Sequence, residues 1–496
     1  MRFCSGFDHK SFTSGDELRT NPGIWIVAPG FGPALPSPVS CVYDDQRRDP
    51  EHAERWMFLR FPRVPRCTLL VAFLTEVDVL RSVFSAGLAF VLAVGVAHAQ
   101  SGSPSPADLL KDPAVKAAVD AVKASEAQTI ADQIRFCEIP APEFKEEVRG
   151  QELKRVFTQL GLQNVRVDKV GNVLGDYPGA ASRPRLVLAA HLDTVFPEGT
   201  DVKVKREGNV LKGPGIGDDC RGLGVLVAIV REMKKAKVQT PGTITFVANV
   251  GEEGLGDLRG VKELFKTTLK DQIDRFVSID GTGIHVTNVA VGSHRYRVTF
   301  KGPGGHSFGA FGMANPIGAM GRAIAKINEM QVPKQPKTTF NVGRVGGGTS
   351  VNSIPFEGWM EVDMRSSDPA SLAAVDANFQ KSVDAAVVEE NQRWGKPGTI
   401  TVVKELVGDR PAGSTPENSS IVRNGLAAAT VLGFTSNLGE GSTDSNTPMA
   451  LGVPAITIGG GGRGRDAHAL TENFDVTDAW MGTQHALLLT IALTQK

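Results

Sequence analysis

Between residues 185 and 279 the chain spells three short apolar runs, RLVLAA (185–190), GTITFVANV (242–250) and RFVSI (275–279). Helix-patterned stretches at 222–235 and 258–269 separate them. Runs this short, bounded by glycine and polar turns, suit strands buried on both faces. Strands alternating with helices close as a largely parallel α/β layer. The constraint reaches beyond fold class, because open α/β sheets place their sites outside the carboxyl ends of the strands. Whatever chemistry this chain performs is expected just after those apolar runs.

The flanking sequence extends the layer. Helices are expected over 107–136 and 146–160, and β structure over 165–177, from apolar spacing and from the break at IPAPEF (139–144). The texture then changes. VGSHRYRVTFK (291–301) alternates polar and apolar, as an antiparallel strand does, and is followed by a helix at 316–330, strands at 338–345 and 358–365, a helix at 371–391 and a strand at 398–404. This β-α-β-β-α-β order predicts a small sandwich of one sheet and two helices. After about residue 407 the α/β pattern resumes, with a helix near 419–432 and an apolar strand at 455–458. The expected fold is therefore α/β: a mixed, mostly parallel sheet flanked by helices, built from residues 105–292 and 406–496, with an α+β sandwich inserted at 293–405.

Residues 80–100 (LRSVFSAGLAFVLAVGVAHAQ) read as a secretory leader: Arg81, an uncharged apolar run over 83–96, and Ala97-His98-Ala99 as an A-x-A cleavage signal. The run is shorter than the ~20 residues a membrane-spanning helix needs. A leader belongs at an N-terminus. Residues 1–78 are therefore expected to be an upstream extension ahead of a start at Val79, with 79–99 removed and a periplasmic or secreted product beginning at Gln100. N-terminal sequencing of the native protein tests this. Cys137 and Cys220 would be the only thiols left; two cysteines make no disulfide framework, and a free, buried Cys220 is expected.

Charge narrows the partners. Lys plus Arg and Asp plus Glu both total 54, which gives no electrostatic case for nucleic acid or for an anionic membrane. No G-K-[ST] follows any of the glycine-rich loops, which weakens a nucleotide-binding reading.

Polar residues of metal-liganding type do follow the apolar runs. His191 ends the first, with Asp193 two positions on. Asp218 and Asp219 close GPGIGDD ahead of a helix. Glu252 and Glu253 follow the second run between Gly251 and Gly254; Asp280 follows the third; His468 lies in DAHALTENF after a glycine-rich loop. Each has a plain explanation when taken singly: a strand-end histidine, a helix N-cap, a solvated Glu-Glu turn. Together they supply oxygen and nitrogen donors without thiolate, a set suited to zinc, cobalt or manganese. A carboxylate left free beside them is placed to act as a base. His285, His294 and His485 fit no pattern and are expected to be structural or superficial.

At these residues the chain resembles the M20 metallopeptidase family, over roughly residues 125–490. AAHLDTV, GPGIGDDCRG, GEEG, SIDG and AHALTEN are similar to the family's ligand segments. The resemblance implies two divalent ions, zinc by preference, with His191, Asp218 and Asp280 around one and Asp218, Glu253 and His468 around the other. It makes Asp193 the orienter of His191 and Glu252 the general acid/base. The inserted domain is similar to the family's lid and dimerisation domain, implying a homodimer. Gly304-Gly305-His306-Ser307 resembles a lid element whose histidine stabilises the oxyanion, while GGGTSVNSIP and VDMR resemble substrate segments and offer Asn352 and Arg365. Two departures matter: Cys220-Arg221 stands where many members carry Met-Lys or Asp-Lys, and Asp280 stands where carboxypeptidase-like and deacylase members usually carry Glu. The second tilts the expectation towards an exopeptidase of aminopeptidase or tripeptidase type acting on small peptides. The alternative is an N-acyl-amino-acid deacylase or a carboxypeptidase G2-like enzyme.

Overall fold

The computed structural model describes residues 103–394 and 399–496. The expected leader at 79–99 and the segment 1–78 lie outside the described residues. Among those described, no helix is long and apolar enough to cross a membrane.

The three apolar runs become strands Arg185–His191, Thr243–Asn249 and Arg275–Ile279, joined in the same layer by Ala455–Ile458. The first pairs parallel with both of the others, and Ala455–Ile458 pairs parallel with Arg275–Ile279. Register sets His191 against Asn249, so the strands stop at one common edge. The whole sheet has nine strands, and antiparallel neighbours finish both ends. All four central strands are almost wholly buried, as strands covered on both faces must be. Helices Pro113–Cys137, Cys220–Ala236 and Trp480–Ala492 pack together over the main hydrophobic core.

Two local expectations change. The helix expected over 107–136 is interrupted: Pro106–Leu109 stops, and Pro113–Cys137 begins afresh with Asp112 as N-cap, its carboxylate accepting from the Ala114 amide at 2.7 Å. Proline at a first helical position tolerates this start because it has no N–H to satisfy. The β segment expected over 165–177 is two antiparallel strands, Gln163–Val167 and Val173–Tyr177. The turn between them is tied by Asp168, which accepts from the amides of Val170, Gly171 and Asn172.

Strands Gly292–Lys301, Thr338–Gly347, Glu357–Ser366 and Thr401–Arg410 form a separate antiparallel sheet, with Glu357–Ser366 and Gly292–Lys301 in the middle. Burial alternates strictly along Glu357–Ser366. Met360, Val362 and Met364 face a second core shared with helices Pro316–Asn328 and Pro369–Arg393. Trp359, Glu361, Asp363 and Arg365 take the other face, as period-two geometry requires. The fold is thus mixed α/β, with a mostly parallel main sheet and separate antiparallel sheets.

Candidate metal centre

The common edge of the parallel strands gathers the expected donors. His191 is the last residue of its strand, Asp280 follows Ile279 directly, and Glu252 and Glu253 sit three and four residues beyond Asn249. The Glu252–Glu253 turn depends on its glycines. Gly251 and Gly254 have φ of +69° and +45°, and a Cβ would run into Arg259 at the first and Glu143 at the second. Only glycine enters that backbone region without strain.

Asp218 is the hinge of the geometry. Its Oδ1 lies 3.0 Å from His191 Nε2 and its Oδ2 lies 3.2 Å from His468 Nε2, so its two oxygens face opposite ways. His468 Nε2 is also 3.1 Å from Glu253 Oε1. Two triads result, His191/Asp218/Asp280 and Asp218/Glu253/His468, each with donor atoms within 4.8 Å of one another. Three protein donors per ion with an open face is the pattern of catalytic zinc, and a carboxylate with two oxygens can serve two ions. His191, Glu252 and Glu253 also lie close enough to form a triad. Glu252 Oε1, however, accepts from Arg410 Nη1 at 3.1 Å, and a carboxylate engaged by a guanidinium is a poor competitor for an ion.

Electrostatics point the same way. Burial foremost, then the charge of Asp218, pushes Asp280 well above the usual carboxylate range. Burial lifts Glu253 to about 7. Burial would also raise Asp218, but hydrogen bonds with His191 and His468 outweigh it and hold its carboxyl low. Burial works against a charge on His191, yet hydrogen bonds with Asp193 and Asp218 keep its imidazole well above the ordinary value. His468 is raised to about 10 by its hydrogen bonds with Asp218 and Glu253. Clustered buried carboxylates that hold protons, or borrow them from histidine, are relieved by divalent cations. The donor set and its charge balance therefore fit two such ions.

Asp193 is fully buried and meets His191 through its main chain. The His191 ring meets its main-chain oxygen at 3.0 Å, while its carboxylate stays 3.7 Å from Nδ1. That carboxylate instead accepts the amides of Glu252 at 3.1 Å and Glu253 at 2.7 Å. One residue thus contacts the first histidine and ties down the Glu-Glu turn. Asp219 caps the helix Cys220–Ala236 by accepting from the Gly222 amide. Cys137 and Cys220 are both free and buried.

A cleft of about 480 Å³ opens over the donors. Asp218, Glu252, Glu253, Asp280 and His468 border it on the main domain, and Arg295 and Arg365 border it on the inserted sheet. Asp363 braces both arginines, taking Arg295 Nε at 3.0 Å and Arg365 Nε at 2.8 Å. His306 and Asn352 do not line the cleft. They lie exposed at a short antiparallel pair, Gly305–His306 against Ser353–Ile354, where the His306 ring nitrogen accepts the amides of Phe308 and Gly309 at 3.2 Å each.

Several wall residues escaped the sequence reading. His285 borders the cleft, although the sequence suggested only a structural or surface place. His294 and His485 are structural: one pairs with Asp376 at 2.7 Å, and the other is buried with Nε2 on the Gly425 carbonyl oxygen. Glu472, four residues after His468, is also buried. Its carboxylate accepts the amides of Gly215 at 2.8 Å, Gly217 at 2.9 Å and Asp218 at 3.1 Å. It ties the His468 loop to the Asp218 loop. A glutamate in a loop one turn past a donor was the available signal, but its partners lie some 250 residues away. Glu472→Ala is expected to weaken metal binding about 10–100-fold, the usual cost of losing a residue that orients a ligand. Competition against a chromogenic chelator measures this, and unchanged affinity would contradict it.

The family model described as peptidase family M20/M25/M40 matches residues 187–492. A succinyl-diaminopimelate desuccinylase of Corynebacterium glutamicum is 23% identical over 340 residues, covering 66% of this chain and 86% of that protein. Among solved structures, aminopeptidase PepT from Bacillus cereus superposes with a TM-score of 0.60 at 20% identity, covering 74% of this chain and 98% of its own. The Bacillus subtilis YXEP protein, described as a dinuclear metal-binding peptidase of the M20 family, does so with a TM-score of 0.56 at 15% identity, covering 75% and 99%. With the matched region spanning every donor from His191 to His468, the chain belongs to peptidase family M20/M25/M40.

Proposed function

We propose that the protein hydrolyses amide bonds in small peptides with two divalent metal ions, zinc by preference, as an exopeptidase of aminopeptidase or tripeptidase type. The observation that carries the reading is Asp218, whose two oxygens face two separate donor triads while Glu252 stands beside them outside the shared ligand set. In it, His191, Asp218 and Asp280 hold one ion, and Asp218, Glu253 and His468 hold the other. The bound ions would polarise the scissile carbonyl and make water acidic enough to attack near neutrality. Glu252 takes the proton from the attacking water and returns it to the departing nitrogen, so one carboxylate serves as base and then as acid. Asp193 fixes the turn that aims Glu252. Arg365 receives a substrate carboxylate through the guanidinium nitrogens that Asp363 leaves free.

His306 stands outside the cleft, so a part for it at the oxyanion requires the inserted domain to move or a second copy to supply it. That domain is assigned as lid and dimerisation surface. The leader-like segment at 79–99 supports export to the periplasm or beyond.

A second reading has its own support. Two braced arginines on the cleft wall suit substrates whose recognised end is an acid, and one relative is described as a desuccinylase. An N-acyl-amino-acid deacylase or carboxypeptidase would use the same ligands and base. A panel of free tripeptides, N-acetyl amino acids and folyl-type glutamates, run with metal analysis, separates the two. Turnover of free tripeptides that fails on N-blocked analogues supports the aminopeptidase type. The reverse pattern transfers the assignment to deacylase or carboxypeptidase.

A further inference from the structure

Arg410 is the last residue of the inserted sheet's edge strand Thr401–Arg410 and pairs with Ser293 at the chain's return to the main domain. Its side chain is only 4% exposed. It does not end in solvent or in a salt bridge between helices. Nη1 donates to Glu252 Oε1 at 3.1 Å, Nη2 donates to the Glu252 carbonyl oxygen, and Nη1 also reaches Ser442 Oγ at 3.2 Å. One guanidinium therefore grips both the side chain and the main chain of a single residue. A planar fork makes the two contacts from separate nitrogens held in fixed directions, where an ammonium is a flexible point charge. Nε is left buried and without a partner among the described residues. A buried arginine with an unmet donor is a poor device for stability alone.

The surroundings tie this grip to the inserted domain. The turn that follows Glu252 and Glu253 is held from the same side at three further points. Arg295 donates to the Gly254 carbonyl oxygen, the Asp409 amide donates to Asp257 Oδ1 at 2.7 Å, and Lys262 Nζ donates to the Asp409 carbonyl oxygen at 2.8 Å. Asp193 holds the opposite side of the turn from within the main domain. The Glu252 segment is clamped between the two domains, with Arg410 as the one clamp that touches its carboxylate.

We infer that Arg410 is a positioning residue for Glu252: it sets the carboxylate's direction and makes that direction depend on how the inserted domain sits. This deepens the proposed function and rests on Glu252 acting as base there. An error of about 1 Å in aiming a catalytic group costs on the order of a hundredfold in rate. Arg410→Met is therefore expected to lower kcat roughly 10–100-fold, with KM little changed and two metals per chain retained. Because Arg410 acts through Glu252, the effects must not multiply. In a Glu252→Gln background, Arg410→Met should leave the residual turnover unchanged. Arg410→Lys keeps a buried cation and so guards against misfolding as the cause; it should show a smaller loss of kcat and the same non-additivity.

The experiment is this double-mutant cycle on the full, metal-loaded chain, with kcat, KM, metal content and melting temperature measured for each variant. Multiplicative losses would overturn the inference, and so would a rise in KM with kcat intact, which would make Arg410 a substrate contact. Near-normal turnover of Glu252→Gln alone would instead overturn the base assignment, and that result is read before any Arg410 variant.

Discussion

Replacing Glu252 by alanine should leave a folded protein that still takes up two metal ions per chain yet turns over its best substrate about 10²–10⁴-fold more slowly, the span that a positioned general acid/base contributes. In free energy that is roughly 3–5 kcal/mol of lost transition-state stabilisation. Glu252 is buried at the cleft, its amide tied to Asp193 and its carboxylate to Arg410. It is adjacent to the donor Glu253 but is not needed to complete either of the triads that share Asp218. Metal content by elemental analysis and turnover on one sample decide the point. If metal is lost together with activity, Glu252 is a ligand. If activity stays near normal, the base lies elsewhere.

Asp218 should fail in the opposite way. Asp218→Asn keeps the side chain's shape but removes the charge that faces both triads. Metal stoichiometry is expected to fall below two per chain, and turnover by about a thousandfold or more. Loss of ion-assisted catalysis removes several kcal/mol, and each ~1.4 kcal/mol is a factor of ten. The Glu472 clasp and the helix cap at Asp219 remain in place, so the melting temperature of the metal-free protein should move little. Two tightly held ions in this variant would contradict the shared-ligand geometry. Together the two substitutions separate the roles: one leaves metal and removes turnover, the other removes both.

The sequence made the main layer legible because a strand buried on both faces needs an unbroken apolar run, and three such runs alternate with helices. The inserted sheet was legible for the converse reason: a strand with one wet face alternates, as Glu357–Ser366 does. His191, Glu252, Glu253 and Asp280 stood out by their place after those runs, whereas Asp218 and His468 lie in glycine-rich loops and were grouped with the others through the family resemblance. What failed was local or long-range. Pro113 divides one expected helix because its ring fits a new helix start. Asp193 uses its main-chain oxygen for His191 and its carboxylate for two amides, a division of labour no residue type announces. Arg295 and Arg410 carry no signal and Glu472 only its place one turn past His468, since each gains its position from partners distant in sequence.

By itself, then, the sequence determined the two kinds of sheet, the order of the donors and the chemistry those donors can support. The sheets follow from periods of two and 3.6 residues and the possible chemistry from side-chain type, while the grouping of the donors is what the family resemblance implied. Only the tertiary structure decided that Asp218 turns its oxygens to two different triads, that Arg410 closes on Glu252, and that His306 and Asn352 stand away from the cleft. Those facts depend on where chain segments hundreds of residues apart come to rest, and on the burial that makes their charges act on one another.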